Sequence, residues 1–94
     1  DMVYVDDVAE ANILAVSYSK TGVFNVGTGE SYSNNWILEK FKDAGYSDIT
    51  HAPARPGDVR HTLASVTLTK ESLGWEPKTN LAEGLKKTFA WWGI

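Results

Sequence analysis

Ninety-four residues with 43% apolar content and no cysteine can build one small domain, residues 1–94, around one modest core, with no room for a second. A formal charge of −3, with Lys and Arg scattered rather than striped along one face, disfavours a nucleic-acid or anionic-membrane partner. Absent cysteine removes disulfides, thiolate chemistry and cysteine-based zinc sites, which suits a reducing cytoplasm, and no apolar run approaches a membrane span or a signal peptide.

The chain opens on Asp1 inside a strand-like run, so a piece cut from a longer protein is expected. Residues 1–5 have the β-branched and aromatic content of a short buried strand. Asp6 or Asp7 then supplies an N-cap for a helix to about Ser19, with Val8, Ala11, Leu14, Ala15 and Tyr18 on one stripe. The adjacent carboxylates also fit a metal or acid/base couple, but a cap is the commoner use of Asp ahead of an apolar stripe.

After the turn at Lys20-Thr21-Gly22, residues 23–26 form a second expected strand ending in Gly27-Thr28-Gly29. A strand, a Gly-x-Gly loop and a helix invite a dinucleotide site. The third glycine of that fingerprint is replaced by Tyr32, so the glycines are assigned to a sharp turn and close packing. Ser31 or Ser33 caps a helix carrying Ile37, Leu38, Phe41 and Ala44 and stopping at Gly45. Residues 48–52 and 59–64 are two more extended stretches, the second with Arg60, Thr62 and Ala64 on one face. Ser65 or Thr67 starts a short helix through Leu73, closed by Gly74, and Trp75-Glu76-Pro77 is a rigid extended link. Asn80-Leu81-Ala82-Glu83 has capping-box spacing for a last helix, with Leu81, Leu85, Phe89 and Trp92 on one face and Lys86 and Lys87 opposite. The expected class is α/β: a small mixed sheet of short strands with about four helices.

Between the third and fourth extended stretches lies Arg55-Pro56-Gly57-Asp58. Arg55 offers a planar fork of donors suited to phosphate oxygens, and Asp58 a carboxylate able to hold two neighbouring ribose hydroxyls. Pro56 fixes φ, and Gly57 admits close approach or a positive φ. On spacing alone, a tight turn with a surface Arg–Asp ion pair explains the same residues. His51 and His61 lack metal-ligand spacing, no Gly-x-Ser-x-Gly elbow is present, and of Trp91 and Trp92 one is expected in the core and the other at its edge.

Five separated motifs in register carry a resemblance over essentially the whole chain. They are Val3-Tyr4-Val5-Asp6-Asp7-Val8-Ala9-Glu10-Ala11, Val23-Phe24-Asn25-Val26-Gly27-Thr28-Gly29, Arg55-Pro56-Gly57-Asp58-Val59-Arg60-His61, Leu73-Gly74-Trp75-Glu76-Pro77 and Leu81-Ala82-Glu83-Gly84-Leu85. The sequence resembles the C-terminal, substrate-binding part of the extended short-chain dehydrogenase/reductases, the NAD-dependent nucleotide-sugar epimerases and dehydratases. The resemblance implies that Arg55 meets the diphosphate of a UDP-hexose, Asp58 its ribose, and Thr62 the hexose pocket, where a mid-sized residue suits larger, N-acetylated sugars.

It also implies a parent that oxidises the sugar transiently, lets the keto intermediate rotate and returns hydride to the other face. The resemblance implies an N-terminal Rossmann domain outside these residues, since no Gly-x-x-Gly-x-x-Gly or Tyr-x-x-x-Lys is among them, and Tyr4, Tyr18, Tyr32 and Tyr46 all lack a Lys four positions on. No catalytic or cofactor-binding residue is therefore assigned, and NAD is expected in the parent alone. Two further expectations stay open: a dehydratase or decarboxylase parent, and a truncated fold that self-associates through exposed apolar surface without ligand.

Overall fold

In a computed structural model, residues 1–93 are described, and they fold as four helices joined by irregular segments. The helices are α1 (Val5–Val16), α2 (Asn34–Asp43), α3 (Thr67–Leu73) and α4 (Leu81–Trp92). Among the described residues no strand ladder forms, so the expected mixed sheet is not there. The apolar runs that suggested strands carry no regular structure: strand propensity expresses fit to a pleated neighbour, and a ladder needs a second backbone in register. Val23, in the second of these runs, is 90% exposed.

Side chains do the cross-linking a ladder would have done. The Asp1 carboxylate accepts from the Ala64 N–H, the Asn25 side-chain amide donates to the Ser65 carbonyl, and the Thr69 hydroxyl donates to the Asn25 carbonyl. These bonds hold the chain around residues 1, 25 and 64 side by side.

The first helix starts two or three residues earlier than the aspartates indicated. Its N-cap is Tyr4, extended at φ −75° and ψ 145° and making no side-chain cap bond, and it ends at Val16 rather than Ser19. Asp6 and Asp7 thus sit inside the first turn, where the helix dipole still favours carboxylates. Asp7 is drawn inward instead: it is buried, its carboxylate accepts from the Thr79 N–H at 3.0 Å, and its carbonyl accepts from the Trp75 indole at 2.8 Å. Both bonds tie the start of α1 to the segment that leads into α4.

The later helices end and begin as local chemistry dictates. Ser33 caps α2 by accepting from the Trp36 N–H, Asn80 caps α4 by accepting from the Glu83 N–H, and Gly74 closes α3 at φ 67°. Ala11, Val66 and Trp75 form the core, with Leu14, Val26, Ala64 and Leu73 packed against it. Trp75 is 1% exposed, so the link between α3 and α4 is the centre of the core rather than a spacer. Burying an indole of 150–250 Å² contributes about 4–6 kcal/mol at 25 cal/mol per Å². Phe41 of α2 meets Phe89 of α4 edge to face at 5.0 Å, which joins the remaining pair of helices.

The result is a slab of 48 × 35 × 16 Å with a radius of gyration of 15.8 Å, against about 12 Å for a compact chain of this length. It exposes 7345 Å², where a folded monomer of this mass exposes about 5,400 Å². The excess includes Met2, Val5, Trp91 and Trp92.

Candidate functional site

Arg55, Pro56, Gly57 and Asp58 form a turn in which the Asp58 N–H donates to the Arg55 carbonyl at 3.2 Å. Proline at the second position and glycine at the third, with Gly57 at φ 85°, is the type II pattern, which a side chain at Gly57 would strain. The turn folds the two charged ends onto each other. Asp58 Oδ2 accepts from the Arg55 N–H at 3.2 Å and from Arg55 Nε at 3.3 Å, and its Oδ1 lies 3.3 Å from a terminal guanidinium nitrogen.

With side chains 83% and 49% exposed, this pair contributes at most about 1 kcal/mol to stability. It is therefore cheap to open toward a ligand. Arg55 keeps donors to spare, because a guanidinium carries five and the contacts to Asp58 occupy a minority of them.

Thr62 sits apart from that pair. It lines a cleft of about 500 Å³ with Tyr32, just ahead of α2, Asn34, the first residue of α2, and Arg60 and His61 from its own segment, whereas Arg55 and Asp58 do not line it. The Asp1 backbone nitrogen lies 3.2 Å from the Thr62 hydroxyl and 3.3 Å from its carbonyl. The three residues expected to bind one ligand thus occupy two neighbouring places: a rim turn, and a cleft four residues further along.

The Gly27-Thr28-Gly29 loop is occupied by the protein itself. Its Thr28 and Gly29 N–H groups each donate to the Asp1 carboxylate at 2.8 Å, and the Thr28 hydroxyl donates to it at 2.7 Å. A Cβ on Gly27 would stand 2.7 Å from the Ala64 Cβ and 3.0 Å from Asp1 Oδ2, whereas Gly29 has φ 74° and open space. One glycine serves close packing and the other the turn, as the sequence indicated.

Other candidates separate in the same way. His61 lines the Thr62 cleft, while His51 borders a different groove beside α2. Trp91 and Trp92 pack on each other at 4.9 Å but are 78% and 68% exposed, so neither enters the core. Tyr32 donates to Glu30 at 3.1 Å, and that bond to a carboxylate holds its hydroxyl above the usual phenol range. Asp1 and Arg60 are the residues that sequence reasoning passed over. Asp1 partners lie 27 to 63 positions away, and Arg60 reads in the sequence only as a member of the third motif and of the Thr62 face, with no role of its own.

The family model described as GDP-mannose 4,6 dehydratase matches residues 1–88. Among similar proteins are a putative UDP-glucose 4-epimerase of Methanocaldococcus jannaschii, 36% identical over 97% of this chain and 30% of its own length. The UDP-glucose 4-epimerase of Mycolicibacterium smegmatis is 40% identical over 94% of this chain and 29% of its own. Among solved structures, the Thermotoga maritima UDP-glucose 4-epimerase with UDP-glucose superposes with a TM-score of 0.89 at 44% identity, covering 99% of this chain and 31% of that one. MoeE5 in complex with UDP-glucuronic acid and NAD gives 0.90 at 34% identity, covering 99% and 32%. The chain spans about 30% of the length of the curated relatives it matches.

Proposed function

The chain belongs to the GDP-mannose 4,6 dehydratase family, and from that premise we propose that it forms the nucleotide-sugar side of the cleft of an extended short-chain dehydrogenase/reductase, of the UDP-glucose 4-epimerase kind. Arg55 takes the diphosphate, Asp58 the ribose hydroxyls and Thr62 the wall beside the hexose. The observation that carries this is the rim turn, which holds an exposed guanidinium and an exposed carboxylate together just ahead of the Thr62 cleft. The UDP-sugars in the two solved neighbours support a ligand of that class.

NAD supplies the hydride acceptor in such an enzyme. No residue here is assigned to it, since the glycine loop is spent on Asp1. The 94 residues alone carry substrate recognition and no catalytic group. The same half-site serves a dehydratase or decarboxylase equally well.

Calorimetric titration of the chain with UDP-glucose tests the assignment. Arg55→Ala is expected to weaken binding about tenfold or more, the size of charge-assisted hydrogen bonds to phosphate. Binding equal to that of the unaltered chain would refute the clamp.

The surplus exposed surface of about 1,900 Å² supports a second reading, self-association of the isolated chain through the apolar residues around Met2 and Trp91. A sedimentation coefficient that stays monomeric at every concentration would sink it.

A further inference from the structure

The two walls of the Thr62 cleft come from segments far apart in the chain: residues 27–33, which bring Ser31 and Tyr32, and residues 59–64, which bring Arg60 and Thr62. Neither wall has a strand ladder to hold it. Among the described residues no hydrogen bond or ion pair runs directly from one of these segments to the other. What joins them is Asp1, from a third segment, which itself lines the cleft. Its Oδ1 accepts from the Thr28 N–H at 2.8 Å and from the Thr28 hydroxyl at 2.7 Å. Its Oδ2 accepts from the Gly29 N–H at 2.8 Å and, on the other wall, from the Ala64 N–H at 3.2 Å. The tie reaches the cleft lining on both sides. Ala64 stands two residues beyond Thr62, while the Thr28 hydroxyl also accepts from the Glu30 N–H at 3.1 Å and the Glu30 carboxylate takes the Tyr32 hydroxyl at 3.1 Å. A carboxylate has room for about four donors, and these four fill it, so Asp1 has no lone pair left for an incoming sugar.

We propose that Asp1 is a positioning residue for sugar recognition: its carboxylate sets the spacing of the two cleft walls, and the hexose half of a nucleotide sugar is held only while that spacing holds. This rests on the nucleotide-sugar reading of Arg55, Asp58 and Thr62, and the two ligands chosen below separate the two claims. The second oxygen matters as much as the shape. Asparagine has the same outline but presents one acceptor oxygen and an NH2 group. Turned one way, that NH2 meets the Thr28 N–H and the tie to the loop weakens; turned the other, it meets the Gly29 and Ala64 N–H groups and the bridge between the walls is lost. Either way fewer bonds hold the walls, and an N–H is left facing an N–H.

Calorimetric titration of the unaltered 94-residue chain, Asp1→Asn, Thr28→Val and Thr28→Ser with UDP and with UDP-glucose tests this. The readout is the ratio of the two affinities, because a general loss of folded chain lowers both alike. The unaltered chain is expected to bind UDP-glucose about fivefold tighter than UDP, the gain that one or two hydrogen bonds to the hexose give. In Asp1→Asn the ratio should fall to about two or less, with UDP affinity within about twofold of the unaltered chain, since the rim turn shares no partner with Asp1. Thr28→Val cuts a bond to Oδ1 without touching Asp1 and should lower the ratio in the same direction, whereas Thr28→Ser keeps the hydroxyl and should leave it as it was. A ratio unchanged in Asp1→Asn overturns the proposal. So does an Asp1→Asn loss that falls on UDP and UDP-glucose by the same factor, which would make Asp1 a support of the fold alone. An unaltered chain that binds both ligands equally overturns it too, since the cleft then adds nothing to the hexose. In each of these cases UDP bound at the rim leaves the nucleotide-sugar reading standing. Silence from both ligands in the unaltered chain removes that reading, and the role of Asp1 with it.

Discussion

Gly27→Ala is the substitution whose cost follows most directly from the packing. An added Cβ would lie 2.7 Å from the Ala64 Cβ and 3.0 Å from Asp1 Oδ2. The Ala64 Cβ is fixed to its backbone and cannot swing away, and Asp1 Oδ2, a side-chain end, is held by the Gly29 and Ala64 N–H groups, so the segments around residues 27 and 64 must part. Overpacking of this kind costs about 1–3 kcal/mol. The parting also lengthens the bonds from Thr28, Gly29 and Ala64 to the Asp1 carboxylate, which places the expected loss near the top of that range, about 2–3 kcal/mol. For a chain of this size that lowers the melting midpoint by roughly 10–20 °C.

Gly29→Ala provides the contrast. It meets open space at φ 74°, so its cost is the left-handed backbone alone, about 1 kcal/mol. Ala64→Gly removes the closest clashing atom, and in combination with Gly27→Ala it should recover about 1 kcal/mol as a coupling term. Thermal and urea unfolding followed by tryptophan emission reads all four proteins, since Trp75 is buried and reports on the core. A Gly27→Ala midpoint within error of the parent, or a Gly29→Ala loss larger than that of Gly27→Ala, would refute the packing argument.

Trp75→Ala should cost about 3–5 kcal/mol, since it empties the core and abandons the Asp7 carbonyl; circular dichroism at 25 °C should show a largely unfolded chain. Asn80→Ala should cost about 1 kcal/mol by freeing the Glu83 N–H, measurable as a small urea-midpoint shift, with Asn80→Asp close to neutral. Lys78 is held above its usual value of 10.5 chiefly by its hydrogen bond to Glu10, so its contribution to stability is present below pH 10.5 and fades as pH rises through the higher folded value. Glu10→Gln should flatten that alkaline slope, and an unchanged slope would remove the ion pair from the account. Tyr32, raised above 10.0 chiefly by its bond to Glu30, should titrate closer to 10.0 in Glu30→Gln, as a carbon-detected NMR titration will show.

Where the sequence could be followed to the structure, the signal was local. Ser33, Gly74 and Asn80 mark helix ends within three residues of the groups they satisfy, and each does so. Arg55 and Asp58 pair because a proline–glycine turn leaves an i,i+3 couple nowhere else to go. Asp6 and Asp7 misled because a capping residue and a first-turn residue look alike until the backbone angles are known, and Tyr4 holds the extended angles. The strands did not form a sheet because β-branched composition describes a demand for neighbours that the described residues do not meet. Trp75 was not legible as the core centre, having no periodic partner between Gly74 and Pro77. The Thr62 cleft was equally hidden, since it joins residues near positions 1, 32 and 60 that no spacing rule connects.

The central claim is that this chain holds the substrate side of a nucleotide-sugar cleft, and a heteronuclear NMR titration with UDP, set against NAD, addresses it most directly. The account predicts saturable shifts with UDP at Arg55, Gly57 and Asp58 and none with NAD at Thr28 and Gly29, whose N–H groups are held by Asp1. Shifts at Thr28 and Gly29 with NAD, or a rim turn silent to UDP at millimolar concentration, would contradict it.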